Sequence, residues 1–336
     1  MDALELHRSL VIVDGHCDTA LDLVGKRFGH EPAPPRDFLA RGDRGHLDLP
    51  RLEEGGVTCQ FMALFTDDEL VGEAGPHTWR LLEAVESAIA RSGGAFRLAR
   101  KAADVLAAKA DGAVAALLTI EGGEAVGEDL GALRAFRERG VSLMGLTWNR
   151  RNAIGRGAGT GDPSVDGSGG LTDFGRKVVA EMERTGMIVD ASHLSDEALD
   201  DLLEIAQRPV VASHSNSRVL CPHRRNLEDG QAERIAATGG LVAVTYAGVF
   251  VDKDPAKVSL ERLVDHVERL ARVAGVDHVG IGSDFDGFTD KYGVVLEDCA
   301  ALPKLTAALL ARGFKPGEVA KIMGGNWLRV MEEIVG

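Results

Sequence analysis

The sequence has no closely spaced cysteines. Cys17, Cys59, Cys221 and Cys299 lie scattered through 336 residues with no C-x-x-C pair, which argues against a disulfide framework and fits reduced thiols. Basic charge is also scarce. Lys and Arg number 38 against 52 Asp and Glu, and the formal net charge of −14 speaks against nucleic acid or an anionic membrane as partner, because both are held by basic patches. The opening stretch MDALELHRSL is acidic and shows no basic region, apolar core or small-residue cleavage site of a signal peptide. No apolar run approaches the length of a membrane span. The expectation is a cytoplasmic protein without membrane contact. Its 45% hydrophobic and 27% charged residues are those of a globular chain with a large core.

Two loop motifs are missing as well. No G-x-G-x-x-G follows the first apolar run, which disfavours a doubly wound dinucleotide-binding sheet. The glycine-rich stretch 155–161, GRGAGTG, is not followed by Lys-Ser/Thr and reads as a flexible active-site loop rather than a phosphate loop. Arg150, Arg151 and Arg156 in that region read most simply as solvated charges, the alternative being that one binds an acidic substrate.

What is present is a repeated unit. Apolar runs at 11–18, 57–65, 113–120, 141–147, 187–190, 209–211, 241–246 and 278–282 are mostly followed by helical patterns, among them 78–90, 130–139, 171–185 with Thr172 and Asp173 as candidate caps, 196–206, 228–237 and 260–274. Residues 25–50 are rich in Pro, Gly and charge and read as a long loop, and 148–170 as an irregular segment. Continuous apolar runs suit strands buried on both faces of a parallel sheet. About eight such units predict a single (β/α)8 TIM-type barrel over residues 1–336, with its site at the C-terminal ends of the strands.

That end is where the polar residues fall. His16 and Asp18 close the first run, Glu121 the third, His193 and His214 two short units that both read Ala-Ser-His, and Asp284 the last. Alternation along a strand predicts that His16 and Asp18 share a face and that Asp14 joins them in a supporting role, while Cys17 points away. Imidazole and carboxylate are ligands for zinc or a similar divalent ion, and the count points to two ions. His16 with Asp18 would hold one, His193 with His214 the other, and Glu121 would span both. Two adjacent ions acidify a bridging water and orient a carbonyl. Asp284 then fits as general base and general acid.

These residues carry a resemblance. DGHCD at 14–18, HLDLPRLEEGGV at 46–57, IEGGE at 120–124, SH at 192–193, SHS at 213–215, RRN at 224–226, GSDFDG at 282–287 and GGNWLRV at 324–330 together resemble the membrane (renal) dipeptidase family of binuclear zinc peptidases, within the amidohydrolase-like barrels. The resemblance implies two zinc ions and hydrolysis of dipeptides, often with tolerance for a D-residue at the C-terminal position. It implies His16, Asp18, Glu121, His193 and His214 as metal ligands, Asp284 as catalytic acid/base, and Arg225 as the group that holds the substrate carboxylate, for which a guanidinium is suited. The family's mammalian members carry a substrate-binding histidine after the fourth strand. Here Thr147 is followed by Trp148 and Asn149, which become the substrate-binding candidates at that place. The signal and lipid-anchor segments of those members are not expected here. A small dipeptide is the expected partner, with the oligomeric state open, a homodimer included. Alternatives are a binuclear amidohydrolase acting on another small amide, a lactam or an N-acyl amino acid, and, more remotely, a barrel that binds metal without catalysis.

Overall fold

All eight expected runs form strands, and their order closes a barrel. The computed structural model describes residues 2–162 and 166–336, so 163–165 of the irregular segment lie outside the described residues. The strands are β1 (Val13–Asp14), β2 (Cys59–Phe65), β3 (Phe96–Leu98), β4 (Val114–Glu121), β5 (Val141–Gly145), β6 (Ile188–Asp190), β7 (Val210–Ala212), β8 (Leu241–Val244) and β9 (Val279–Ile281). Every pairing is parallel, running β1–β2–β4–β5–β6–β7–β8–β9 and back to β1 through Asp14↔Ile281. The ninth strand, β3, was not expected. It pairs with the first three residues of β4, where β5 has not yet reached.

Alternate residues of the strands, such as Phe61, Ala115, Leu117, Leu143, Val211 and Ala243, fill the interior and are plugged by Trp327, Val330 and Met331 from the last helix, Asn326–Ile334. The opposite residues, such as Met62, Leu118, Val189 and Val242, pack on the surrounding helices. Being buried on both faces is why these strands read as unbroken apolar runs. The expected helices form within four residues of their predicted limits, 130–139 and 260–274 without any offset, and Thr172 does cap its helix, its Oγ1 accepting from the amide of Gly175 at 2.9 Å.

The first run departs from the expectation. It is not one strand over 11–18: β1 ends at Asp14, and only Cys17 resumes pairing, with Phe285. Val13 belongs to the interior cluster, and a Cβ on Gly15 would lie 2.2 Å from Trp327, so these two residues face the plug. Asp14 lies behind the centre in the supporting place that alternation predicts: it accepts from the amide and hydroxyl of Ser283 at 2.7 and 2.6 Å, beside Asp284, and from the amide of His16 at 3.4 Å. Further amide bonds run from Gly15 to Ile281, from Asp284 to His16 and from Asp18 to Phe285, stitching the first strand end to the last.

The loop before residue 49 is anchored rather than loose. Buried Arg36 bridges Asp22 and Asp286 at 3.0 and 3.1 Å. The amide of His46 donates to Asp286 Oδ1, and the amide of Asp286 donates back to His46 Nδ1. No helix among the described residues is long and apolar enough to cross a membrane.

Candidate metal centre

Five strand ends bring the predicted side chains together. Glu121, last residue of β4, stands at the centre. Its Oε2 lies 3.4 Å from His16 Nε2, while its Oε1 lies 2.9 Å from His193 Nε2 and 3.6 Å from His214 Nε2. His16 Nε2 is 3.6 Å from Asp18 Oδ2 and 3.9 Å from Asp284 Oδ1. Asp18 occupies the N-cap of the short helix Thr19–Leu23 without capping it, which leaves its carboxylate to the centre. Donor atoms of His16, Glu121 and His214, and of His16, Asp18 and Asp284, lie close enough to share an ion. The second set makes Asp284 a candidate ligand as well.

Hydrogen bonds behind the histidines fix which nitrogens face inward. His193 Nδ1 sits 2.8 Å from Asn149 Oδ1, an acceptor, so Nδ1 carries the proton. His214 Nδ1 sits 2.8 Å from Ser213 Oγ, whose own proton goes to Asp190 Oδ2 at 2.6 Å, so this Nδ1 is also the protonated one. Asp190, at the end of β6, accepts the amides of Ser192 and Ser213 too, and ties the two Ala-Ser-His units into one frame. Both Nε2 atoms are left with lone pairs, only 2.9 Å apart, and both face a carboxylate oxygen. Acceptors converging without a proton between them call for a cation. His16 Nε2 and Asp18 Oδ1 are likewise buried without a hydrogen-bond partner among the described residues.

The electrostatics divide the three imidazoles: against burial, which lowers it, Glu121 and Asp18 raise His16 well above its ordinary range, so these carboxylates call for a positive charge at its place. Burial drives His193 down to about 3, with Arg225 adding to the effect, and burial with His16 holds His214 well below its ordinary range, so both are neutral imidazoles, the ligand form. Burial pushes Asp18 well up, and Glu121 pushes it further. Burial also lifts Asp284 to about 7, Glu121 adding to the rise while His16 and Arg225 oppose it. Backbone strain marks the same places: His193, Asp284 and Asp286 hold φ of 71°, 66° and 66°, a left-handed region that costs a non-glycine residue about 1 kcal/mol or more.

The centre opens into a cavity of about 640 Å3. Arg225 lines it, buried, with Nη2 donating to His214 O at 3.2 Å and Nε without a hydrogen-bond partner among the described residues. Burial lowers its pKa to about 10. Trp148 forms a wall with Phe28 and Phe65, ring centroids 6.3 and 5.3 Å away. Asn149 also lines the cavity, although its Oδ1 is taken by His193. Asp190, the aromatic partners of Trp148 and the cavity-lining Arg224 and Lys291 were not foreseen. The Asp190 preceding Ala-Ser-His was a visible signal for the first.

The arginines of the loop turn away from the cavity. Arg151 donates to Ser168 O and Arg156 pairs with Glu197, both at the surface. Arg150 is not solvated: it is buried, paired with Asp68 and Glu124, and donates to Thr66 O. Arg150→Met should therefore lower stability by about 3 kcal/mol, because it leaves Glu124 buried with only Asn152 as partner. Urea unfolding measures this. An unchanged midpoint together with altered substrate preference would return Arg150 to the cavity.

The model of the membrane dipeptidase family, peptidase family M19, matches residues 1–335. Dipeptidase tcpJ of Claviceps purpurea (strain 20.1) is 33% identical over 299 residues, 86% of this chain and 69% of that protein. The solved structure of dipeptidase AC, a metallo peptidase of family M19, is similar with a TM-score of 0.87 at 32% identity, covering 98% of this chain and 99% of its own. A metallo peptidase from Rhodobacter sphaeroides, liganded with a phosphinate mimic of the dipeptide L-Ala-D-Ala, is similar with a TM-score of 0.87 at 30% identity, covering 97% and 99%.

Proposed function

The chain belongs to the membrane dipeptidase family and is a metal-dependent dipeptidase, and from that premise we propose a binuclear zinc centre that cleaves L,L and L,D dipeptides. The observation that carries the two-ion reading is Glu121, with one carboxylate oxygen turned to His16 and the other to His193 and His214. His16 and Asp18 would hold one ion and His193 and His214 the other, with Glu121 offering an oxygen to each. Imidazole and carboxylate donors suit zinc. When bound, two such ions acidify a water and polarise the scissile carbonyl.

The protein's own groups supply the rest. Arg225 receives the substrate's C-terminal carboxylate on its free Nε and its guanidinium edge, which orients the peptide bond over Glu121. Asp284 takes the proton of the attacking water at a carboxylate oxygen and returns it to the amide nitrogen as the C–N bond breaks. Thr245 Oγ1, 3.4 Å from Asp284 Oδ2, steadies the group. Asn149 and Ser213 keep the two imidazoles in the Nδ1–H tautomer. Trp148 closes the apolar wall against the substrate. Acceptance of a D-residue is supported by the Rhodobacter sphaeroides relative with its L-Ala-D-Ala mimic. The catalytic unit is residues 1–336 as one domain, and the four free, buried cysteines support a cytoplasmic location.

Elemental analysis of the purified protein should find close to two divalent ions per chain, and the zinc-loaded enzyme should hydrolyse both L-Ala-L-Ala and L-Ala-D-Ala. A single ion in fully active enzyme would end the binuclear reading.

A further inference from the structure

The cavity walls differ in kind. One is aromatic, built by Phe28, Phe65 and Trp148. The other carries positive charge beyond Arg225: Arg224, next in the chain, and Lys291 both line the cavity. The two regions are joined by the segment after β8, since Arg225 lies over the Phe250 ring, His223 packs on the same ring, and Gly248 touches the backbone of Tyr292.

In a chain of net charge −14, most arginines here are met by a carboxylate, yet neither Arg224 nor Lys291 has an ion pair among the described residues. The acids around them are engaged elsewhere. Asp166, the nearest to Arg224 across the loop at Gly159, accepts from the amide and hydroxyl of Thr160 and the amide of Gly161. Asp290 is turned to His46. Asp18, Glu121 and Asp284 form the floor. Lys291 lies over the face of Tyr292, at 4.7 Å. Arg224 acts on Asp166 through its charge but forms no ion pair with it among the described residues, so both cations facing the cavity are positioned to meet an anionic ligand.

We infer that Arg224 and Lys291 form a subsite for a side-chain carboxylate on the substrate's C-terminal residue, so that dipeptides ending in aspartate or glutamate are preferred. The C-terminal position follows from adjacency: Arg225 takes the main-chain carboxylate, and the neighbouring guanidinium meets what branches from the same α-carbon. The aromatic wall offers nothing to an anion, so the acidic side chain belongs on the other side, with the C-terminal residue. This inference rests on the dipeptidase reading and names the substrate class for it. The preference weakens with added salt, because both cations are exposed to solvent.

The test uses isosteric pairs with the zinc-loaded enzyme: Ala-Asp against Ala-Asn, with the second residue in both L and D forms. The expected kcat/KM ratio is about tenfold in favour of aspartate in one or both series, the worth of one solvent-exposed charge-assisted contact. In the double variant Arg224→Met, Lys291→Met that ratio should collapse to about one. Equal turnover of the two substrates by the wild type, or a ratio that survives in the double variant, overturns the subsite while the dipeptidase reading stands. If no dipeptide is turned over, the dipeptidase reading has failed. Calorimetric binding of Ala-Asp and Ala-Asn then decides the subsite, equal affinities overturning it and a tighter Ala-Asp that needs Arg224 and Lys291 supporting it.

Discussion

Glu121→Gln should strip the protein of most of its metal and abolish peptide hydrolysis. The substitution keeps volume and shape, so the barrel is not asked to repack. It changes one oxygen into an amide that can only donate. Glu121 Oε1 faces two imidazole lone pairs and Oε2 faces His16. Whichever way the new amide turns, one side loses its anionic ligand and gains a donor pointed at the imidazole nitrogen that should bind metal. Both ions therefore weaken together, whereas His16→Ala, which touches one flank, should chiefly lower occupancy of one. The loss in activity should exceed the roughly 10–100-fold that removing a group behind a ligand costs. Metal content by elemental analysis and kcat/KM on a neutral dipeptide measure the two effects. A Glu121→Gln protein with two tightly held ions would remove Glu121 from its bridging position.

Asp284→Asn separates proton transfer from metal binding. Asp284 sits 3.9 Å from His16 Nε2 and could serve as a ligand by distance alone. Its environment argues for the other role. Burial raises its carboxyl in the metal-free centre, and His16, Asp18, Glu121, His193 and His214 already supply ligands without it, which leaves it for proton transfer. Asparagine retains the shape and the bond to Thr245 but cannot take a proton. The metal content should stay near two, KM should change little, and kcat should fall by about 10²–10⁴-fold. Metal loss would make Asp284 a ligand, and near-normal turnover would remove it from the mechanism. Asp286 could not replace it, since Arg36, His46 and Thr19 already hold its carboxylate away from the cavity.

The barrel and its centre were legible for one reason. Strands buried on both faces leave no polar positions except at their ends, so His16, Glu121, His193, His214 and Asp284 stood out as interruptions of apolar runs. β3 was hidden because it follows no such rule: Arg97 and Leu98 are only part-buried, and a three-residue strand beside half of β4 leaves no pattern. Asp14 was read correctly as a supporting group, although its main partner, Ser283, lies on the last strand end and left no trace beside it in the sequence. Nothing in 25–48 announced that Arg36 and His46 reach Asp286, since such contacts join residues some 240–250 positions apart. The loop arginines misled for the converse reason: composition shows charge but not its partner. Arg150 proved to be committed to Glu124 and Asp68, while Arg224, hidden in a motif noted for its neighbour, lines the cavity.

The stitching of the first strand end to the last has a consequence for how the protein is made. Asp14 and Ser283 are 269 residues apart in the chain. At a ribosomal pace of roughly 5–20 residues per second, about a quarter of a minute to a minute passes between the emergence of His16 and that of the segment it leans on. Over that interval the nascent polypeptide gains first Glu121 and then both imidazoles of the Ala-Ser-His pair, but it has neither Asp284 nor the backbone amide that donates to His16 O. Products truncated before residue 284 should therefore be inert, since they lack both Asp284 and the partner strand end on which His16 is seated.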